Sequence, residues 1–284
     1  MIQDINPRLE NQYVIKEKAG SDIILCYDGR NVFLKRENEN IALLAREEYD
    51  EANTLTSEKP DEGIYLFTIG EKAYYLCSMS DATKGILEGR GYFYEQMFSV
   101  RSMHPKEMVF ALATGFHLGE WYSKNRFCGA CGHKLVHEKN MRALHCEHCN
   151  NLVFPKINPA VIVAVKNGDK ILLTTYAGRE YKNYALVAGF AEIGETIEET
   201  VSREVMEEAS IKVKNITYYK SQPWGFESDL LLGFSCEVDG DDTIKMDEEE
   251  LASAEWIKRE DMEPRKDNLS LTSEMMEAFR LGIL

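Results

Sequence analysis

Long apolar runs are missing from this chain. No stretch reaches the ~20 residues that a membrane helix needs, which excludes a helical membrane span and a membrane partner. The start, Met1-Ile2-Gln3-Asp4, has neither a basic n-region nor an apolar h-region, so no signal peptide is expected. Positive charge is also short: 33 Lys and Arg against 48 Asp and Glu leave a net charge of −15. Such a surface repels bulk nucleic acid and anionic lipid, so nonspecific backbone binding is excluded. An anionic substrate remains admissible where bound cations invert the local field. Internal repeats of roughly 20–50 residues and low-complexity segments are absent as well, which excludes a repeat architecture.

Cysteine is present, but in an odd number. Of the seven, four fall in two Cys-x-x-Cys units, and Cys26, Cys77 and Cys236 stand alone in apolar stretches. That usage argues against a disulfide framework and fits a reducing cytoplasm with a metal site. The isolated three read as buried core thiols. With 284 residues, 44% of them hydrophobic, the chain is long enough for about two domains with a sizeable core.

The texture changes along the chain. Residues 1 to about 104 read as strands and turns: Tyr13-Val14-Ile15, Ile23 to Tyr27, Val32-Phe33-Leu34, and a hairpin of Ile64–Thr68 with Ala73–Cys77 around Gly70-Glu71. Residues 47–62 are polar and carry Pro60, and read as a loop. Pro105 to about Asn125 reads as a helix with Met108, Leu112, Phe116, Trp121 and Tyr122 on its apolar face. From Pro155 onward, Ala160–Val165 and Ile171–Leu173 flank an Asn167-Gly168 turn. Leu186–Ala188, Leu230–Val238 and Ala254–Ile257 read as further strands, and 196–210 and 271–281 as helices. Strands with helices to cover both faces predict an α/β sandwich.

Two segments carry chemistry. Cys128-x2-Cys131 and Cys146-x2-Cys149 form a pair of knuckles whose four thiolates suit tetrahedral Zn²⁺, one ion per chain. A site closed by four sulfurs has no open position, so it is structural. His133, His145 and His148 lie close in sequence and read as surface or supporting residues. With only Lys134, Lys139 and Arg142 as fixed positive charges over 128–149, the ribbon is not read as a nucleic-acid grip.

The second segment runs from Gly189 through Glu195 to Arg203-Glu204-Val205-Met206-Glu207-Glu208. Glu204, Glu207 and Glu208 stand at i, i+3 and i+4, so like charges share a helix face. That is unfavourable unless a hard cation such as Mg²⁺ or Mn²⁺ gathers the carboxylates. The plainer alternative, a glutamate-rich surface helix, gives no reason for the fixed spacing. Val201, Val205 and Ala209 supply the core-facing side. Thr196 reads as an N-cap, with Glu199 completing a capping box. Gly189 and Gly194 let the preceding loop bend sharply.

Gly-x5-Glu-x7-Arg-Glu-Val-x-Glu-Glu-x-Ser-Ile resembles the Nudix box, Gly-x5-Glu-x7-Arg-Glu-U-x-Glu-Glu-x-Gly-U with U apolar. Only Ser210 departs, at the residue that ends the helix. A zinc ribbon placed just before the box resembles the NADH pyrophosphatase (NudC-type) branch. So does Ser221-Gln222-Pro223-Trp224-Gly225-Phe226-Glu227-Ser228, where that branch carries Ser-Gln-Pro-Trp-Pro-Phe-Pro-x-Ser. Gly225 and Glu227 stand in for two prolines, and the segment is one residue shorter.

The resemblance implies a β-rich, degenerate Nudix-like domain over 1–124, a four-cysteine zinc ribbon over 125–154, and a catalytic Nudix α/β/α sandwich with a mixed sheet over 155–284. It implies that Glu204 and Glu208, the Ala188 carbonyl and Glu250 bind two or three Mg²⁺ or Mn²⁺ ions, with Glu207 assisting and Glu208 the first choice as catalytic base. Glu195 and Arg203 would brace the loop beside Gly189. Phe154, Phe190, Ser221, Gln222, Trp224, Phe226 and Ser228 would contact substrate. The implied activity is hydrolysis of NAD(H) to NMN(H) and AMP by a cytoplasmic homodimer, with removal of NAD caps from RNA 5′ ends. The alternatives are a diphosphatase for ADP-ribose or a dinucleoside polyphosphate, and a non-catalytic zinc-ribbon nucleotide sensor.

Overall fold

The computed structural model describes residues 1–13, 17–178, 183–265 and 269–284. The chain divides into two compact units. One comprises Met1, Ile157–Trp224 and Asp229–Leu284; the other comprises Ile2–Lys156 and Gly225–Ser228.

The C-terminal unit is built on β1 (Asn158–Asn167), whose apolar run forms the middle of a six-stranded sheet. β1 turns through Gly168-Asp169, one residue later than the sequence suggests, into β2 (Lys170–Tyr176). Gly168 takes φ 62°, in the left-handed region that glycine tolerates. β3 (Val187–Phe190) pairs antiparallel with the first half of β1. After helix α1 (Ile197–Ala209) come β4 (Val213–Trp224), β5 (Asp229–Val238) and β6 (Leu251–Lys258), then α2 (Leu271–Arg280). The strand order is β4-β5-β1-β2-β6, with β1 and β5 parallel and the other pairs antiparallel.

The pleat of β1 makes this a sandwich. Val161, Val163 and Val165 point to one face and pack with Val201, Val205 and Ala209 of α1. Ile162 and Ala164 point to the other and pack with Leu271, Met275, Met276 and Phe279 of α2. The α/β expectation, with helices on both faces of a mixed sheet, matches this architecture.

Helix α1 begins as its sequence dictates. The Thr196 hydroxyl accepts from the Glu199 N–H at 3.2 Å, and the Glu199 carboxylate accepts from the Thr196 N–H at 2.7 Å. It ends at Ser210, which adopts φ 58° and ψ 31°. A left-handed conformation costs an L-residue ~1–2 kcal/mol, less the entropy that glycine would lose on folding. Ser210→Gly is therefore expected to stabilise the chain by about 0.5–1 kcal/mol. The check is the urea midpoint at unchanged slope; a lower midpoint would contradict it.

In the other unit, the hairpin of Ile64–Ile69 with Lys72–Leu76, the strands Ile23–Leu25 and Asn31–Glu37, and the helix Lys106–Lys124 all form. Tyr13 lies in no regular element, and Val14 and Ile15 fall outside the described residues. Two helices of nine residues or more correct the strand-and-turn reading, besides the single turn Met97–Val100. Arg46–Leu55, within the stretch expected as loop, is helical with Tyr49, Ala52 and Asn53 buried. Asn53 disguises the period: it is polar but fully paired, donating to the Tyr49 carbonyl and accepting from the Thr83 hydroxyl. Asp81–Gly89 is the second helix, capped by Ser80, whose hydroxyl accepts from the Thr83 N–H at 3.1 Å. Among the described residues no helix is long and apolar enough to cross a membrane.

Candidate metal centres and active site

The ribbon gathers its four cysteines. One ligand atom from each of Cys128, Cys131, Cys146 and Cys149 lies within 4.8 Å of the other three. The Sγ atoms of Cys131 and Cys146 stand 3.4 Å apart, as do those of Cys131 and Cys149; Cys128 and Cys149 are 3.6 Å apart. Sulfurs about 2.3 Å from one tetrahedral ion sit about 3.8 Å from each other, so the set fits Zn²⁺.

The two knuckles repeat one backbone plan. Cys128 N–H donates to the His133 carbonyl and Gly132 N–H to the Cys128 carbonyl; Cys146 N–H donates to Asn151 and Asn150 N–H to Cys146. Gly132 and Asn150 occupy the same left-handed position, at φ 73° and 59°. Backbone N–H groups of Ala130 and Cys131, aimed at the Cys128 sulfur, lower that thiol to about 6. Those of Cys149 and His148 lower Cys146. The backbone thus favours thiolates at Cys128 and Cys146, while burial and the neighbouring thiols raise Cys131 and Cys149.

The second centre lies on α1 and the end of β3. Arg203 organises it. Its Nε donates to Glu195 Oε1 at 2.6 Å, and one terminal nitrogen donates to Glu195 Oε2 and the Phe190 carbonyl, each at 2.9 Å. The other reaches Glu204 at 2.7 Å and Glu207 at 2.9 Å. Glu195 also accepts from the Thr200 hydroxyl and the Glu192 N–H. Arg203 first, with these donors, holds Glu195 down to about 2. Nothing in the sequence pattern singled out Thr200, a buried hydroxyl one turn into the helix.

The three helix carboxylates are not equivalent. Glu207 is exposed on the rim. Glu204 and Glu208 turn inward, 9% and 2% exposed. Glu208 Oε1 accepts from the Ala188 N–H at 3.3 Å, while its Oε2 is buried with no hydrogen-bond partner. Burial pushes Glu208 up to about 8, with the charges of Glu204, Glu250 and Asp247 adding to it. Burial also raises Glu204, with Glu207 and Glu250 adding, despite Arg203. Glu250 is exposed, and its charge is felt at both inward carboxylates. Asp247 escaped the sequence reading, which took the acidic run only at Glu250; its N–H donates to the Glu208 carbonyl at 3.1 Å.

Gly189 has a different reason from the bend expected of it. A Cβ there would stand 1.9 Å from the Glu204 carboxyl carbon, so the position holds glycine to seat that carboxylate. Gly194 is the residue with the special backbone, at φ 101°. Glu204 and Glu208 are thus two inward-turned carboxylates on one helix face, and one oxygen of Glu208 is buried with no hydrogen-bond partner.

The remaining candidates divide. Phe190 and Phe154 are 55% and 57% exposed, open to stacking within their own units. Ser221 and Trp224 are half-buried on β4, and Ser228 is half-buried at φ 67°. Gln222 is corrected: fully buried, it donates to the Leu269 carbonyl at 2.8 Å and accepts from the Leu271 N–H at 2.7 Å. Its amide fastens the start of α2 instead of facing a substrate. Phe226 is corrected too, because its ring is buried and cannot stack on a ligand.

A neighbour of Phe226 explains one departure of this segment from the NADH pyrophosphatase pattern. A Cβ on Gly225 would lie 2.2 Å from the Ala113 carbonyl oxygen, which leaves no room for proline. Glu227 pairs with Arg30 at 2.7 Å. The departure at Gly225 follows from packing inside the N-terminal unit, whereas Glu227 makes an exposed ion pair and nothing in the structure excludes proline there.

Comparison with known proteins agrees with this anatomy. The NADH pyrophosphatase zinc ribbon domain matches residues 123–154, and the NUDIX domain matches 156–279. The NAD-capped RNA hydrolase NudC of Pectobacterium atrosepticum is 43% identical over 164 residues, 57% of this chain and 63% of that protein. NudC of Erwinia tasmaniensis is 41% identical over 171 residues, 60% of this chain and 65% of that protein. The match thus spans just under two thirds of each relative's length. This chain carries an NADH pyrophosphatase zinc ribbon domain joined to a NUDIX domain.

Proposed function

We propose that the chain hydrolyses the diphosphate link of NAD(H), yielding NMN(H) and AMP, and removes NAD caps from RNA 5′ ends. The observation that carries this reading is the pair Glu204 and Glu208, buried beside Gly189 with one carboxylate oxygen unpartnered. Its kinship to proteins named NAD-capped RNA hydrolase supports the substrate class.

Glu204, Glu208, Glu250 and the Ala188 carbonyl would hold two or three Mg²⁺ or Mn²⁺ ions, with Glu207 at the rim. When bound, such ions neutralise the diphosphate and acidify a water for attack on phosphorus. Glu208 would be the first choice as base toward that water, and Glu250 the second. Arg203 and Glu195 hold the loop and helix in register. Phe190 would offer a ring face to base or nicotinamide, and Ser221 and Trp224 would line the approach. No covalent nucleophile is required. A cytoplasmic homodimer belongs to the same proposal; the seven thiols, none in a disulfide, suit a reducing compartment.

The departure at Gly225 has a packing cause and gives no reason to prefer another diphosphate. A panel of NADH, NAD-capped RNA, ADP-ribose and a dinucleoside polyphosphate, with product identification, tests the reading. NADH and capped RNA are expected to exceed the other two by about tenfold or more in kcat/KM. Faster turnover of ADP-ribose or of the polyphosphate would overturn the substrate assignment, and tight binding without turnover would favour the sensor.

The seating of Glu204 gives a further prediction. Gly189→Ala should push that carboxylate aside and lower kcat by about 10²-fold, the scale of a 1 Å misplacement. Parent-like turnover in the variant would show that Glu204 does not need this position.

A further inference from the structure

The last carbonyls of a helix have no partner inside it. At the end of α1 the acidic loop before β6 supplies two of them with donors. The Lys245 N–H reaches the Ala209 carbonyl at 3.0 Å, and the Asp247 N–H reaches the Glu208 carbonyl at 3.1 Å. The loop is thereby fastened to the residue that bears the buried carboxylate.

Asp247 then folds the chain toward Glu250. Its Oδ1 accepts from the Glu249 N–H at 2.9 Å, the local turn that a short acid makes with the backbone two residues on. Its carbonyl accepts from the Leu251 N–H at 2.9 Å. Glu250 sits between these two bonds, and its own carbonyl accepts from the N–H of Ala177, just past β2, at 2.9 Å. The charge of Glu250 reaches both Glu204 and Glu208. Asp247 is exposed, so core packing does not account for an aspartate there. Its three bonds, two from the backbone and one from the side chain, tie the helix end to the turn that carries Glu250. We infer that Asp247 is a positioning residue, whose turn holds Glu250 beside Glu208 so that loop and helix carboxylates meet the same divalent cations. This rests on the proposed function in one respect, that Glu250 is a carboxylate that binds such cations.

The test titrates the full, zinc-loaded chain with Mn²⁺, reads the free ion by electron paramagnetic resonance, and measures NADH turnover in parallel. Asp247→Ala removes the side-chain acceptor and should weaken Mn²⁺ binding about tenfold or more, the scale seen when a group that orients a metal ligand is lost. The metal-free variant should unfold near the parent temperature. Asp247→Asn keeps an oxygen for the Glu249 N–H and should bind Mn²⁺ within about threefold of the parent. In a Glu250→Gln background Asp247→Ala should cost nothing further, because no carboxylate is left to place. Parent-like binding in Asp247→Ala, an equal loss in Asp247→Asn, or a full further loss in the Glu250→Gln background would overturn the inference. So would collapse of the metal-free fold in Asp247→Ala, or parent-like binding in Glu250→Gln alone, which leaves Asp247 nothing to position. A parent chain that binds Mn²⁺ yet leaves NADH intact would sink the hydrolase reading and leave the Mn²⁺ comparison standing.

Discussion

Glu208→Gln is expected to lower NADH turnover by at least about 10²-fold, the lower end of what a positioned general base contributes, while the fold persists. The amide keeps the shape of the carboxyl and can still accept from the Ala188 N–H, but it neither takes a proton nor offers an anionic oxygen to a cation. The same substitution should change stability with pH. Burial raises Glu208 to about 8 from an ordinary 4.5, so the folded, metal-free chain binds this proton more tightly than the unfolded one. The stability that this proton confers is complete below the unfolded value and is lost as pH rises through the folded one. Metal-free parent protein should therefore weaken between about pH 4.5 and 8, and the variant should not weaken from this cause. At pH 9 without metal the variant should unfold at the higher temperature; with Mg²⁺ the parent should recover and the variant should gain little. Near-parent turnover, or a pH dependence identical to the parent's, would refute the role given to Glu208. A buried acid that costs stability until a cation meets it is the pattern expected where function, not packing, selects a residue.

Cys146→Ser should have the largest effect on the fold. The Cys146 sulfur is fully buried, 3.4 Å from that of Cys131, and its knuckle is closed by backbone bonds from Cys146 to Asn151 and from Asn150 to Cys146. Each knuckle contributes only short strands, Val136–His137, Leu144–His145 and Leu152–Val153, too little to order a ribbon without metal. Structural zinc in small ribbons supplies folding free energy outright, ~10–16 kcal/mol in isolated fingers. Metal analysis should find the structural zinc lost, and calorimetry a transition lowered by many degrees or split in two. Unchanged zinc content with an unchanged transition would contradict the assignment of Cys146.

What the sequence made legible was local. The capping box at Thr196 and Glu199, the turn after Asn167 and the paired knuckles each depend on residues within a few positions of one another. The carboxylate face of α1 was legible for the same reason. What escaped depends on partners far along the chain. Asn53 hides the period of its helix because its polar group is paired by Thr83, 30 residues on. β4 does not show in the sequence because it is an edge strand with six of its twelve residues exposed and a proline near its end. Gln222 looked like a polar contact for substrate until Leu269 and Leu271 were found to occupy both ends of its amide. Gly189 was read as a bend, although its need for glycine comes from Glu204, 15 positions later. The departure at Gly225 likewise answers to Ala113.

The most direct measurement is anomalous diffraction from crystals soaked with Mn²⁺ and a non-hydrolysable NAD analogue. Manganese peaks should fall between the carboxylates of Glu204 and Glu208 and the bridging diphosphate. Manganese bound only at other carboxylates, with Glu208 protonated and apart from the diphosphate, would contradict the account.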